Sequence, residues 1–178
     1  MSSYCEIAPG HPYHGEYHDR EYGFPVTTDE KLFERLVLEI NQAGLSWLTI
    51  LKKREGFKKA YSDFNPKLVA SYGKAKFTKL LKDPSIIRNR LKIKAVIQNA
   101  KTICELQDSH GSFCLWIEGH HPLEKHEWVK LFKRTFFFTG EQITGEFLMS
   151  IGYLPGAHKR TCRIFSQIAH LEPPFMRE

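Results

Sequence analysis

The chain has 178 residues, 42% of them apolar, and a formal charge of +6 from 26 Lys and Arg against 20 Asp and Glu. That length makes one domain or two tightly joined lobes, and that apolar fraction builds a real core, which excludes a disordered chain. The cation surplus fits a polyanion partner, although a charge of this size also suits many ordinary proteins. No apolar run approaches the roughly 18 residues of a membrane span. Met1–Gly10 is too poor in apolar residues for a secretory signal, so the expected location is cytoplasmic. Four cysteines without such a signal argue for thiols or a metal rather than a disulfide framework.

Residues 1–26 are rich in His, Tyr, Gly and Pro and read as ordered loop or very short helices. Thr27-Thr28-Asp29-Glu30 has the form of a capping box on Thr27. The helix behind it carries Leu32, Phe33, Leu36, Val37, Ile40 and Ala43 at helical spacing, with Glu39 at the rim of that face. A carboxylate there is either wet or held near a pocket. Gly44 suits the end of this helix and Ser46 the N-cap of the next, which puts Trp47 in a first turn. Pattern alone leaves Glu39 a surface acid and Trp47 a core residue.

Asn65-Pro66 opens a helix to about Tyr72, and another covers about Lys74–Lys82. A long helix over about Ile87–Gln107 has Arg88, Arg90, Lys92 and Lys94 crowded at its start. Cations there oppose the helix dipole; they serve either as a solvated face or as phosphate contacts. Short helices follow at about Ser112–Glu118 and Lys125–Thr135. Phe136–Glu141 is a tight apolar turn before the last full helix, about Gln142–Ile151. His158 and Cys162 belong to a short helix that puts both on one face. Cys104 and Cys114 read as core thiols. The expected class is all-α, one domain over residues 1–165, with a peripheral tail over 166–178.

Four stretches agree on one family. They are Tyr17-His18-Asp19-x-Glu21-x-Gly23-x-Pro25; Glu39-x-x-Gln42-Ala43-Gly44-Leu45-Ser46-Trp47 with Leu51-Lys52-Lys53-Arg54-Glu55; Ile86–Ile93 with Asn99-Ala100; and Phe138-x-Gly140, Phe147-x-x-x-x-Gly152, His158-x-x-x-Cys162. Together they resemble the 3-methyladenine DNA glycosylase I family over almost the whole chain. The resemblance implies the helix-hairpin-helix DNA glycosylase fold and a structural zinc ion that joins the two ends of the chain through Cys5, His18, His158 and Cys162. Two thiolates and two imidazoles would close a tetrahedral site with no position for water.

It further implies a base pocket of Tyr17, Glu39 and Trp47, with Tyr13 nearby. On this resemblance Glu39 would be the catalytic residue, a carboxylate that reads the adenine edge by accepting from its amino group, and the aromatic rings would stack on a base taken out of the duplex. The partner is double-stranded DNA with alkylated bases, contacted by Gln42, Gly44 and Leu45 and by the hairpin glycine Gly140. No protein partner is evident, and a monomer is expected. The loop Gly152–Ala157 has no carboxylate, and Glu141-Gln142 leaves no lysine after the hairpin glycine, which points to a monofunctional enzyme. The chain departs from the family at Ile7 and Tyr22, where Trp is usual, and at Ser85, Glu141 and Gly156-Ala157. The competing reading is a non-catalytic helix-hairpin-helix DNA-binding protein or a glycosylase with altered base preference.

Overall fold

A computed structural model describes residues 3–177. Among them there is no strand, and the chain folds as eleven α-helices with two 3₁₀ turns, Ser62–Phe64 and Pro174–Met176. The all-α expectation is met. Helices α1 (Tyr4–Ile7) and α2 (His14–Arg20) order the N-terminal region. α3 (Asp29–Gln42) and α4 (Trp47–Ala60) follow, then α5 (Pro66–Ala70), α6 (Lys74–Leu80) and the long α7 (Arg90–His110). The last four are α8 (Phe113–Glu118), α9 (Lys125–Thr135), α10 (Glu141–Ser150) and α11 (Arg163–His170). None is long and apolar enough to cross a membrane.

α3 is the central element. Its repeat of apolar residues buries Leu32, Phe33, Leu36, Val37 and Ile40 completely. It packs on α4, α7, α8 and α10. Its start differs from expectation. Thr28, not Thr27, is the N-cap, and no side chain caps it. Asp29 reaches instead to the N-terminus of α8, where it accepts from the Phe113 and Cys114 backbone N–H groups, and it also accepts from the Gln107 amide on α7. Those two N–H groups have no partner within α8, so Asp29 ties two helices together at the positive end of one.

The end of α3 is a tight turn. The Leu45 N–H donates to the Gln42 carbonyl at 2.7 Å. Ala43 at φ −50°, ψ 118° followed by Gly44 at φ +77° makes a type II geometry that requires glycine at its third position. Ser46 then caps α4 by accepting from the Thr49 N–H. One member of the basic run at the start of α7 has a different role, while Arg88, Arg90 and Lys94 stay exposed. Lys92 is neither a solvated residue nor a phosphate contact: it is 5% exposed, and its Nζ donates to the Asn41 and Ala43 carbonyls. It satisfies the carbonyl end of α3, where a cation complements the dipole.

Two expectations near the C-terminus change. His158 and Cys162 lie in successive turns before α11, not on a helix; Cys162 is the N-cap of α11. The chain from 166 onward is not peripheral. α11 runs through the expected boundary and buries Ile164 and Ile168, and Pro174 is buried beside a Phe175 N–H bond to the Gly152 carbonyl.

Candidate active site and metal-binding cluster

The N-terminal segment bridges two polar sites because α2 turns consecutive side chains in opposite directions. Tyr17 faces a cavity; His18 faces a Cys/His cluster. Both are buried.

The cavity holds about 480 Å³ and is lined by α1, α2, α3, α4 and α10. Tyr17 forms one wall, 5.1 Å edge-to-face from Trp47 and 5.7 Å stacked on Tyr22. The Tyr17 ring is fixed from behind. The Arg35 guanidinium lies 4.8 Å over it and donates to its hydroxyl at 3.1 Å. Arg35 is held in turn by Glu21, which also takes two hydrogen bonds from Arg54 at 2.6 and 2.7 Å. This network explains why Glu21 and Arg54 accompany the aromatic residues in sequence: they lock α2 onto α3 and α4.

Glu39 enters the cavity from α3. It is 5% exposed and has no hydrogen-bond partner among the described residues. Burial, reinforced by the nearby Glu146 carboxylate and only partly offset by Arg35, pushes its pKa up to about 8. A buried acid without a partner is costly in a structural role and is the mark of a binding or catalytic group. The rim position therefore resolves as a pocket acid.

Trp47 and Gln42 line the same cavity. Tyr13 does not. It is 46% exposed and lines the adjoining groove with Glu16, Glu21 and Lys52, whose ammonium sits 5.6 Å from its ring. Leu45 is 38% exposed at the tip of the Gln42–Leu45 turn. Gly140 is the N-cap of α10, across the molecule's α9–α10 connection, and a Cβ there would meet nothing within 4 Å. Ile7 sits at the cavity mouth, 53% exposed. The sequence reading missed Tyr4, His14, Gln142 and Glu146, all of which line the cavity. Gln142 and Glu146 are four apart on α10, so helical spacing offered the signal.

On the other side of α2, the donor atoms of Cys5, His18, His158 and Cys162 all lie within 4.8 Å of one another. The S···N separations are 3.7 Å from Cys5 to His158, 3.7 Å from Cys162 to His18 and 3.6 Å from Cys162 to His158. Bonds of about 2.3 Å to sulfur and about 2.0 Å to nitrogen at tetrahedral angles give an S···N edge of about 3.5 Å. The outward nitrogens are anchored: His18 Nδ1 bonds Asp19 at 2.7 Å, and His158 Nε2 donates to the Tyr22 carbonyl at 2.7 Å. This is the outer support that fixes imidazole ligands on a metal. Gly23, at φ +83°, makes the approach possible, since a Cβ there would fall 2.8 Å from Ala157 Cβ. The donor set and spacing fit a tetrahedral divalent metal.

Residues 7–130 match the model of a family described as methyladenine glycosylase. The DNA-3-methyladenine glycosylase of Haemophilus influenzae is 33% identical over 181 residues, covering 91% of this chain and 97% of that protein. DNA-3-methyladenine glycosylase 1 of Escherichia coli is 42% identical over 121 residues, covering 66% of this chain and 65% of its own length. The crystal structure of a variant of 3-methyladenine DNA glycosylase I in complex with 3-methyladenine superposes with a TM-score of 0.80 at 27% identity, covering 92% and 97% of the two chains. The structure of the Staphylococcus aureus enzyme gives 0.79 at 28% identity, covering 90% and 95%. By sequence and by fold, the chain belongs to the methyladenine glycosylase family.

Proposed function

We propose that the protein excises 3-methyladenine from alkylated double-stranded DNA by hydrolysing its N-glycosidic bond and leaves an abasic site. The observation that carries this reading is Glu39: an unpartnered, buried carboxylate at the wall of an aromatic cavity large enough for one purine. A 3-methylated adenine still attached to the sugar is a cation. Tyr17, Trp47 and Tyr22 offer it ring faces and edges, and Glu39 offers it an acceptor for the amino group and an opposite charge. Reaching such a cavity requires the nucleotide to leave the stack.

In the reaction the water oxygen bonds to the sugar C1′ as the bond from C1′ to the base breaks. The bond's electron pair neutralises the positive base, so no acid is needed to discharge the leaving group, and the water's proton passes to solvent. Among the described residues no lysine lines the cavity, which supports a monofunctional hydrolase.

Gln42, Gly44 and Leu45 are the residues to enter the duplex, with Leu45 as the wedge into the space left by the base. The partial exposure of Leu45 on a turn braced by Lys92 supports this. Gly140 opens α10 as the hairpin glycine of a helix-hairpin-helix element. The open space at its Cα supports close approach of a phosphate to the helix N-terminus. Cys5, His18, His158 and Cys162 would hold a structural zinc ion that fastens the N-terminal segment, with Tyr17 on it, to the chain before α11.

Replacing Glu39 by Gln tests the reading. Base release is expected to collapse while affinity for undamaged duplex is unchanged. Unchanged release would show that the cavity is not the site.

A further inference from the structure

The cavity is negatively charged within a positively charged protein. Its lining contains two carboxylates, Glu39 and Glu146, and no Lys or Arg. The nearest cation behind the wall, Arg35, is committed to Glu21 and the Tyr17 hydroxyl. Glu146 stands on α10, one helical turn after Gln142, and both line the cavity opposite α3. Its Oε2 accepts from the Tyr22 hydroxyl at 3.2 Å. Tyr22 is itself pinned by stacking on Tyr17. The carboxylate is therefore aimed by an aromatic wall of the pocket rather than left to solvent, and it makes no ion pair among the described residues.

We propose that Glu146 is a specificity-determining residue of the pocket: its carboxylate, oriented by Tyr22, joins Glu39 in selecting a positively charged base over a neutral base of the same shape. This rests on the glycosylase reading above. Two carboxylates around one cavity repel each other until a cation enters between them. A proton on Glu39, whose pKa Glu146 helps to raise, relieves that repulsion. A cationic base takes over the role of that proton. A neutral base cannot, and meets the carboxylates without compensation. The groups that face Glu39 are Tyr4, Tyr17 and Tyr22 from the N-terminal segment, Glu146 from α10 and Arg35 on α3 itself. His14 also lines the cavity.

The test is Glu146→Gln in the full chain, because Gln keeps the acceptor for the Tyr22 hydroxyl and removes only the charge. Two readouts at pH 8.5 separate charge from packing. One is kcat/KM for release of 3-methyladenine from methylated duplex. The other is the inhibition constant of a duplex carrying 3-deaza-3-methyladenine, a neutral base of the same outline. The expected result is a loss of about tenfold in kcat/KM, the size of one charge–charge interaction in a partly wet pocket, with the inhibition constant no higher than that of the wild type. The acid limb of the kcat/KM profile, set by ionisation of Glu39, should move to lower pH in the variant, because one of the charges that raises the Glu39 pKa is gone. Equal effects on both duplexes, or no effect on either, would overturn the role of Glu146 while leaving the glycosylase reading intact. Absence of 3-methyladenine release by the wild type would overturn both.

Discussion

The two polar sites on either side of α2 are built from similar materials and differ in one respect. In the Cys/His cluster every imidazole is oriented from behind, His18 by Asp19 and His158 by the Tyr22 carbonyl, and the four donors converge on a common point. In the cavity the supporting residues are equally well tied, through Arg35, Glu21 and Arg54, but the carboxylate they surround has no hydrogen-bond partner among the described residues. The first arrangement is closed and suits a permanent occupant. The second is left unsatisfied, at a cost in stability, and suits a transient one. Satisfaction of buried polar groups thus separates a structural site from a working site without reference to sequence.

The comparison breaks most visibly if the cluster is opened. Cys162→Ala, or stripping a bound metal with a strong chelator, should lower Tm by on the order of 10 °C, given that structural zinc contributes binding energy directly to folding. Thermal unfolding with and without added zinc checks this. Wild-type Tm insensitive to chelation would mean the cluster holds no metal.

Glu39→Gln should do the reverse. Base release should fall about 100-fold, typical of losing one electrostatic group in a site, while the fold becomes more stable. The sign follows from its pKa of about 8 against an ordinary value of 4.5. The folded protein binds that proton more tightly than the unfolded chain. The stability this contributes is complete below about pH 4.5 and lost as pH rises through about 8. At pH 8.5 the variant should exceed the wild type by on the order of 4 kcal/mol in urea denaturation, and the gap should shrink toward pH 5.

Lys92→Met removes two hydrogen bonds from a charged donor to the carbonyl end of α3. A loss of about 2–3 kcal/mol is expected, and because the Gln42–Leu45 turn loses its brace, duplex affinity should weaken as well. The smallest effect belongs to Tyr13→Ala. Its ring is half exposed and outside the cavity, so release of 3-methyladenine should stay within about twofold of wild type, as for a surface substitution away from the site.

Much of this was legible in the chain. The apolar repeat of α3, the Gly44 turn, the Ser46 and Asn65 caps and the all-α class follow from local chemistry that tertiary packing did not override. The cluster and the Glu39 pocket were readable only through family resemblance, because their members lie up to 153 residues apart and spacing has no hold at that distance. What escaped were long-range polar contacts made by residues whose local pattern suggested something else. Lys92 sits in a basic run yet caps another helix. Asp29 sits in a cap-like tetrad yet serves α8. Glu146 is one more polar residue on a short helix until the fold brings it opposite Glu39. His158 and Cys162 have helical spacing, but Pro155 and Gly156 just ahead of them interrupt the helix, and the turns deliver both side chains instead.

The most direct measurement is chromatographic analysis of the free bases released from methylated duplex DNA by the wild type and by Glu39→Gln, both loaded with zinc. The cavity as described predicts that 3-methyladenine appears with the wild type, that 7-methylguanine does not, and that the variant binds the duplex yet releases almost nothing. Equal release by both proteins, or no release by a wild type that is folded and binds DNA, would contradict it.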